Sequence, residues 1–138
     1  MLKTNLLHPE ILNVLGSNGH GSRLLIADGN YPFSTGSHER AKKVFLNLSP
    51  GMLSITDVLK VIKDAIAVES YIVMEPPDKI PQSIHDEFVE ILGENVPVKK
   101  VNRFEFYEEV KSTDTCLVIA TGETKRFANI LLIYGVVK

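Results

Sequence analysis

Four short apolar runs constrain this chain more than any other feature: RLLIAD at 23–28, SYIVME at 70–75, TCLVIAT at 115–121 and NILLIYGVV at 129–137. RLLIAD is continuous rather than alternating, the pattern of a strand buried on both faces. The other three read as further strands. Between them stand segments of helical period. His8-Pro9-Glu10 opens one, with Ile11, Leu12 and Leu15 as its apolar stripe and with Gly16 and Gly19 expected to end it. A second follows the Ser49-Pro50-Gly51 turn, with Ile55, Val58, Leu59, Ile62 and Ile66 on one face. A third covers 83–92 through Ile84, Phe88, Ile91 and Leu92, with Gly93 as its cap, and a fourth is RFEFYEEVK. Asn102 and Glu105 in front of this last segment resemble a capping box. Val44 to Leu48 and the alternating VPVKKVN complete the strand candidates.

Strand and helix alternate, which predicts an α/β fold: a single three-layer domain over 1–138, with a mainly parallel sheet of about six strands and helices on both faces. With 44% hydrophobic and 23% charged residues, the chain has enough apolar material for such a core without a structural metal or disulfide.

The charge balance excludes some partners. Fifteen Lys and Arg face seventeen Asp and Glu, a net charge of −2, and no long stretch is basic. Neither nucleic acid nor an anionic membrane suits such a surface, whereas a small neutral ligand does. Cys116 is the lone cysteine, set among Leu117, Val118 and Ile119, so no intrachain disulfide forms and a buried strand position in a reducing compartment is expected. MLKTNLLHPEIL lacks the apolar core of a signal peptide, and no apolar run approaches the ~20 residues of a membrane span. A cytoplasmic location is the expectation.

Familiar catalytic motifs are missing. The glycines at 16, 19 and 21 run G-x-x-G-x-G from a helix into a strand, the reverse of the dinucleotide fingerprint, and no phosphate loop follows. There is no G-x-S-x-G elbow, and Cys116 sits mid-strand, where a thiol usually packs. The histidines at 8, 20, 38 and 85 are scattered, so no metal site is expected.

Individual residues admit two readings. In one, Gly19 is a left-handed cap on the first helix and His20 merely a turn residue near the helix end. In the other, the small neighbours of His20 admit a ligand to a side chain that gives and takes protons near neutral pH. Asp28 ends a strand where open α/β sheets place ligands, or it closes an Asx-turn onto Asn30 or Tyr31. Arg103 is a ligand contact or a surface residue of a first helical turn, and Asn129 a ligand contact or a backbone partner at a strand start. A straight strand over 23–28 rises about 17 Å, so His20 and Asp28 meet only if the glycine turn folds back, or else they serve different pockets of an oligomer.

Taken together, MLK at 1–3, GHG at 19–21, the aspartate after the next strand, NRFEFYE at 102–108 and TGETKRFANILLIYGV at 121–136 resemble the family of fucose mutarotases and ribose pyranases. The NRF-x-FYE stretch is closer to the fucose branch. This resemblance implies a cofactor-free isomerase that interconverts sugar anomers, built as a ring-shaped homo-oligomer, often a decamer, with sites at subunit contacts. It also implies that His20 is the general acid/base and that Asp28, Arg103 and the segment Phe127, Ala128 and Asn129 contact the monosaccharide. Two departures stand out. Phe127 replaces the family's usual Tyr, which keeps a stacking face and loses a hydroxyl, and the loop from Asp28 to Pro32 differs from that of the fucose branch. The alternatives are a ribose pyranase, a non-catalytic sugar-binding or transport-accessory protein, and, from another class, a nucleotide-binding domain.

Overall fold

The computed structural model describes residues Met1–Lys138. Ten elements alternate along it: α1 (Pro9–Ser17), β1 (Arg23–Ala27), β2 (Lys42–Phe45), α2 (Ile55–Lys63), β3 (Val68–Met74), α3 (Ser83–Leu92), β4 (Val98–Val101), α4 (Arg103–Val110), β5 (Thr115–Ala120) and β6 (Ile130–Tyr134). The six strands form one sheet in the order β2-β5-β1-β6-β3-β4. β1, β2, β3, β4 and β5 share a direction, and β6 runs antiparallel between β1 and β3.

The direction of β6 decides what gathers where. Ala27 pairs with Ala120, Ile26 with Ile130, Val73 with Ile130 and Met74 with Val101. The carboxyl ends of the parallel strands therefore lie level with the start of β6. Residues 28, 74, 103, 121 and 129 come to that one edge from distant parts of the sequence.

Pleating divides the side chains between two layers. Leu24, Ile26, Leu117, Ile119, Ile130 and Leu132 join a core with Ile11 of α1, Leu59 of α2 and Phe88 of α3. Leu25, Ala27, Val118, Leu131, Ile72 and Met74 face the other way, against Phe106 and Val110 of α4 and Tyr31 of the β1–β2 loop. The three layers thus hold three helices on one face and one helix plus a loop on the other.

Local details depart from the sequence-based expectations in physical ways. α1 continues through Gly16 to Ser17, and Asn18 is its C-cap with φ −127°. No left-handed turn is needed there, because Ser17 Oγ donates to Asn13 O at 2.7 Å and Asn18 Nδ2 to Val14 O at 2.9 Å, satisfying the terminal carbonyls. Gly19 is therefore not the left-handed cap; that conformation belongs to Gly21, φ +86°. β2 begins two residues earlier than Val44 and ends at Phe45. Cys116 lies in β5 but is only half-buried, its thiol donating to Arg23 O at 3.3 Å. No helix is long and apolar enough to cross a membrane.

Phe106 is fully buried beneath α4 and fixes that helix against the sheet. Phe106→Ala is expected to lower the free energy of unfolding by about 3–5 kcal/mol in urea titration, the usual cost of removing a core aromatic.

Candidate functional site

Asp28 immediately follows β1 and is 4% exposed. Its backbone N–H donates to Asn129 Oδ1 at 2.7 Å, while Asn129 Nδ2 donates back to Asp28 Oδ2 at 3.0 Å. The remaining oxygen accepts the Asn30 N–H at 3.0 Å, the expected Asx-turn. The backbone-partner reading holds for both residues, and both also line a cavity. Burial pushes the Asp28 carboxyl above the usual aspartate range, against the hydrogen bonds from Asn30, Ala128, Tyr31 and Asn129, which pull it down.

A cavity of about 350 Å³ opens over this pair, lined by Asp28, Asn30, Tyr31, Met74, Arg103, Tyr107, Arg126, Phe127 and Asn129. The volume falls in the range of small-molecule sites. Asn102 delivers Arg103 to it by capping α4: its Oδ1 accepts the Glu105 N–H at 2.9 Å, and its Nδ2 donates to Glu105 Oε1 at 2.9 Å. The reciprocal bond comes from the asparagine amide rather than its backbone N–H, which is how Asn stands in for Ser or Thr. The Arg103 guanidinium lies 4.7 Å from the Phe104 ring centroid and that of Arg126 5.3 Å from Phe127. The chain's ion pairs involve neither arginine, leaving their N–H donors for a ligand.

One wall is aromatic. Tyr31 and Tyr107 meet edge to face at 5.5 Å, and the Tyr31 hydroxyl donates to Gly36 O at 2.6 Å. Burial pushes the Tyr31 phenol far above its ordinary range, so it stays protonated. A side chain at Gly36 would strike the Tyr31 ring and the Pro32 carbonyl, so the 31–36 turn closes only on glycine.

The loop from Thr121 to Asn129 supplies the other wall. Its Gly122 packs against the carbonyls of Ser49 and Met52, leaving no room for a Cβ, and buried Glu123 accepts the Ile55 N–H at the start of α2 at 3.2 Å. Phe127 presents its ring with a backbone φ of +56°. Ala128 is fully buried and lies outside the lining. It offers the cavity's carboxylate only its backbone N–H.

Of the candidates, Asp28, Arg103, Phe127 and Asn129 come together, and His20 does not. His20 precedes β1 and Asp28 follows it, and the Gly21 N–H is tied to Tyr134 O at 3.1 Å, at the far end of β6. The glycine turn does not fold back. His20 Nε2 instead lies 3.1 Å from Glu69 Oε1, both side chains at least half exposed, at 58% and 50%. Within one chain the two residues serve opposite edges of the sheet. Tyr31, Met74, Tyr107 and Arg126 line the cavity without having been singled out in the sequence. Met74 closes the SYIVME run and Tyr107 lies in NRFEFYE, so strand ends and helix starts were the signal that would have found them. No three His, Cys, Asp or Glu side chains converge as a metal site would need.

A larger open groove of about 650 Å³ follows the outside of α4 and holds Arg23 paired to Glu109 at 2.7 Å. It contains none of the candidates.

Comparison with known proteins decides the kinship, since residues 1–137 match the model of the RbsD / FucU transport protein family. The chain belongs to that family. It is 34% identical over 140 residues to a D-ribose pyranase of Coprothermobacter proteolyticus, covering 99% of both chains. It is 33% identical over 147 residues to a fucose mutarotase of Danio rerio, covering 96% of this chain and 91% of the relative. Among solved structures, Bacillus subtilis RbsD complexed with D-ribose superposes with a TM-score of 0.83 at 28% identity, covering all of both chains. The fold is that of the family, and the chain is accordingly an isomerase acting on carbohydrates.

The raised carboxyl of Asp28 has a sign that can be checked. A carboxyl whose folded pKa exceeds its unfolded value takes up its proton first in the native state, so its contribution to stability is present at low pH and lost as pH rises through the folded pKa. Relative to Asp28→Asn, the wild type is expected to gain thermal stability as pH falls from neutrality toward the unfolded value of 3.8. Melting temperatures of the two proteins across a pH series test this; divergence in the opposite direction would remove the buried-carboxylate description.

Proposed function

We propose that this chain is a sugar mutarotase that interconverts the α and β anomers of a free monosaccharide, with L-fucose as its substrate. The observation that carries the reading is the single cavity in which Asp28, Arg103, Phe127 and Asn129 gather from four separate stretches of sequence. Asp28 and Asn129 supply acceptors and Arg103 donors for hydroxyls at fixed directions, and Phe127 offers its ring to an apolar sugar face. Tyr31, Met74 and Tyr107 add an apolar wall. A 6-deoxy sugar carries a methyl group that such a wall accommodates, and this supports fucose over a sugar with a hydroxymethyl arm.

Mutarotation takes the proton from the anomeric hydroxyl and gives one to the ring oxygen. The ring opens to the aldehyde, the C1–C2 bond rotates, and reclosure with reversed proton transfers yields the other anomer. No electrons change hands and no covalent intermediate with the protein is needed. His20 is the proposed proton shuttle, in the active site of a neighbouring subunit. Its half-exposed imidazole, 3.1 Å from Glu69 Oε1, is accessible to a partner. The assembly that follows is a homo-oligomer, a decameric ring in our reading, without a cofactor and located in the cytoplasm. Phe127 lacks the hydroxyl of a tyrosine, which favours simple anomer exchange over pyranose-to-furanose conversion.

D-Ribose is the second candidate, favoured by the D-ribose pyranase at 34% identity. Saturation-transfer NMR on the anomeric protons of fucose, ribose and galactose discriminates them. Exchange is expected fastest with L-fucose and to fall by about 10²–10⁴-fold in His20→Ala. Exchange no faster than in buffer with every sugar would sink the enzymatic reading and leave a non-catalytic sugar-binding protein. A separate test addresses the shared site. Subunits carrying His20→Ala, dissociated and reassembled with subunits carrying Asp28→Asn, are expected to recover part of the activity that each variant lacks alone. Recovery fails if both residues act within one chain.

A further inference from the structure

His85 stands on α3, outside the cavity lining, and takes no part in the proton transfers above. Its Nε2 lies 3.0 Å from the backbone carbonyl of Phe127. A carbonyl only accepts, so the proton of this bond sits on Nε2. The ring is held by stacking on Phe88, with centroids 6.0 Å apart, and Phe88 is itself fully buried.

The carbonyl it holds belongs to an unusual peptide. Phe127 is at φ +56°, where the Cβ of an L-residue crowds the backbone. The peptide joining it to Ala128 is trans and planar, so its C=O and N–H point in opposite directions. The C=O faces His85. The N–H lies on the side of Asp28, near enough to pull that carboxyl's pKa down, though the short bonds on the carboxylate come from Asn30 and Asn129. One rigid peptide plane therefore connects α3 to the buried acid of the cavity.

We propose that His85 is a positioning residue: by donating to the Phe127 carbonyl it holds the 127–128 peptide so that the Phe127 ring lies on the cavity wall and the Ala128 N–H is turned toward Asp28. This rests on reading the cavity as the sugar site. The second tie between this loop and α3, Lys125 to Glu87 at 3.2 Å, joins two exposed side chains and contributes little. Without the His85 bond a rotation of the 127–128 plane would release backbone strain, withdraw a donor from Asp28 and move the ring together. The charged neighbours are distinct at the two ends. Asp86 on its own helix, Glu75 after β3 and Lys100 of β4 act on His85; Arg103, Arg126, Tyr31 and Tyr107 share the cavity with Asp28. Burial lowers the His85 pKa, and since Nε2 carries a proton in both the neutral and the charged ring, the bond survives its titration.

Two substitutions test the role. His85→Leu keeps bulk and removes the donor, whereas in His85→Gln the amide nitrogen reaches about where Nε2 stood. For the leucine variant KM is expected to rise roughly 5- to 30-fold, more than kcat falls, because the carbonyl loses its donor and the ring its position. The glutamine variant is expected to restore most of the loss. In the sugar-free protein, the Asp28 carboxyl, followed by carbon-13 NMR, should titrate at higher pH in the leucine variant and return in the glutamine one. Unchanged KM and unchanged Asp28 titration in the leucine variant would overturn the proposal, as would a glutamine variant no better than leucine. If wild type exchanges no sugar, the proposed function fails while the Asp28 titration still judges His85. Should the leucine variant not fold, nitrogen-15 spectra of wild type decide: a proton on Nε2 is expected, and one on Nδ1 alone overturns the assignment.

Discussion

An antiparallel strand inside an otherwise parallel sheet is the constraint on which this molecule depends. Parallel strands send all their carboxyl ends to one edge, and the loops that follow them gather there. β6 enters that edge from the opposite direction, so its first residues meet the last residues of β1 and β3. The paired bonds between Asp28 and Asn129 are the local expression of this arrangement, joining the end of one strand to the start of its neighbour across 101 positions of sequence. A parallel β6 would carry Asn129 to the far edge, beside Glu69 and His20, and no cavity would form over Asp28.

The same topology accounts for the division of chemistry within the chain. The residues that line the cavity collect at the carboxyl edge, where burial raises the Asp28 carboxyl and the donors of Asn30 and Asn129 counter that effect. The one exposed histidine paired to a carboxylate collects at the other edge, in water. In the function proposed above, the fold thus separates ligand orientation from proton transfer by the length of a strand. On that proposal, it takes an assembly that sets the amino edge of one subunit against the carboxyl edge of another to reunite them.

Strand and helix content was legible because apolar runs and helical stripes obey local rules. RLLIAD became β1 buried on both faces, and the stripe from Ile55 to Ile62 became the buried side of α2. The end of α1 was misjudged because Ser17 and Asn18 satisfy its carbonyls with their side chains, an outcome that glycine spacing does not encode. Asp28, Arg103, Phe127 and Asn129 were legible as candidates through resemblance, and their convergence follows from topology. Tyr31, Met74, Tyr107 and Arg126 escaped notice because a cavity wall is defined by which strand ends are neighbours. That order, with β6 between β1 and β3, is a long-range property that no window of sequence contains. His85 was equally hidden, since its partner is a backbone atom 42 residues away.

Gly122 bears on how a chain of this design diversifies. Its hydrogen atoms face carbonyls of the 49–52 turn at a distance no methyl group tolerates, its N–H is bound to Leu53 O at 3.0 Å, and the next residue is locked onto α2. At the other end, Asn129 is locked onto Asp28. The freedom to change side chains in this loop is thereby left to residues 124–127, which lie between two fixed posts and include the two side chains, Arg126 and Phe127, that reach the cavity. A substitution at those positions reshapes one wall of the cavity and leaves in place the two posts that fasten the loop to the sheet.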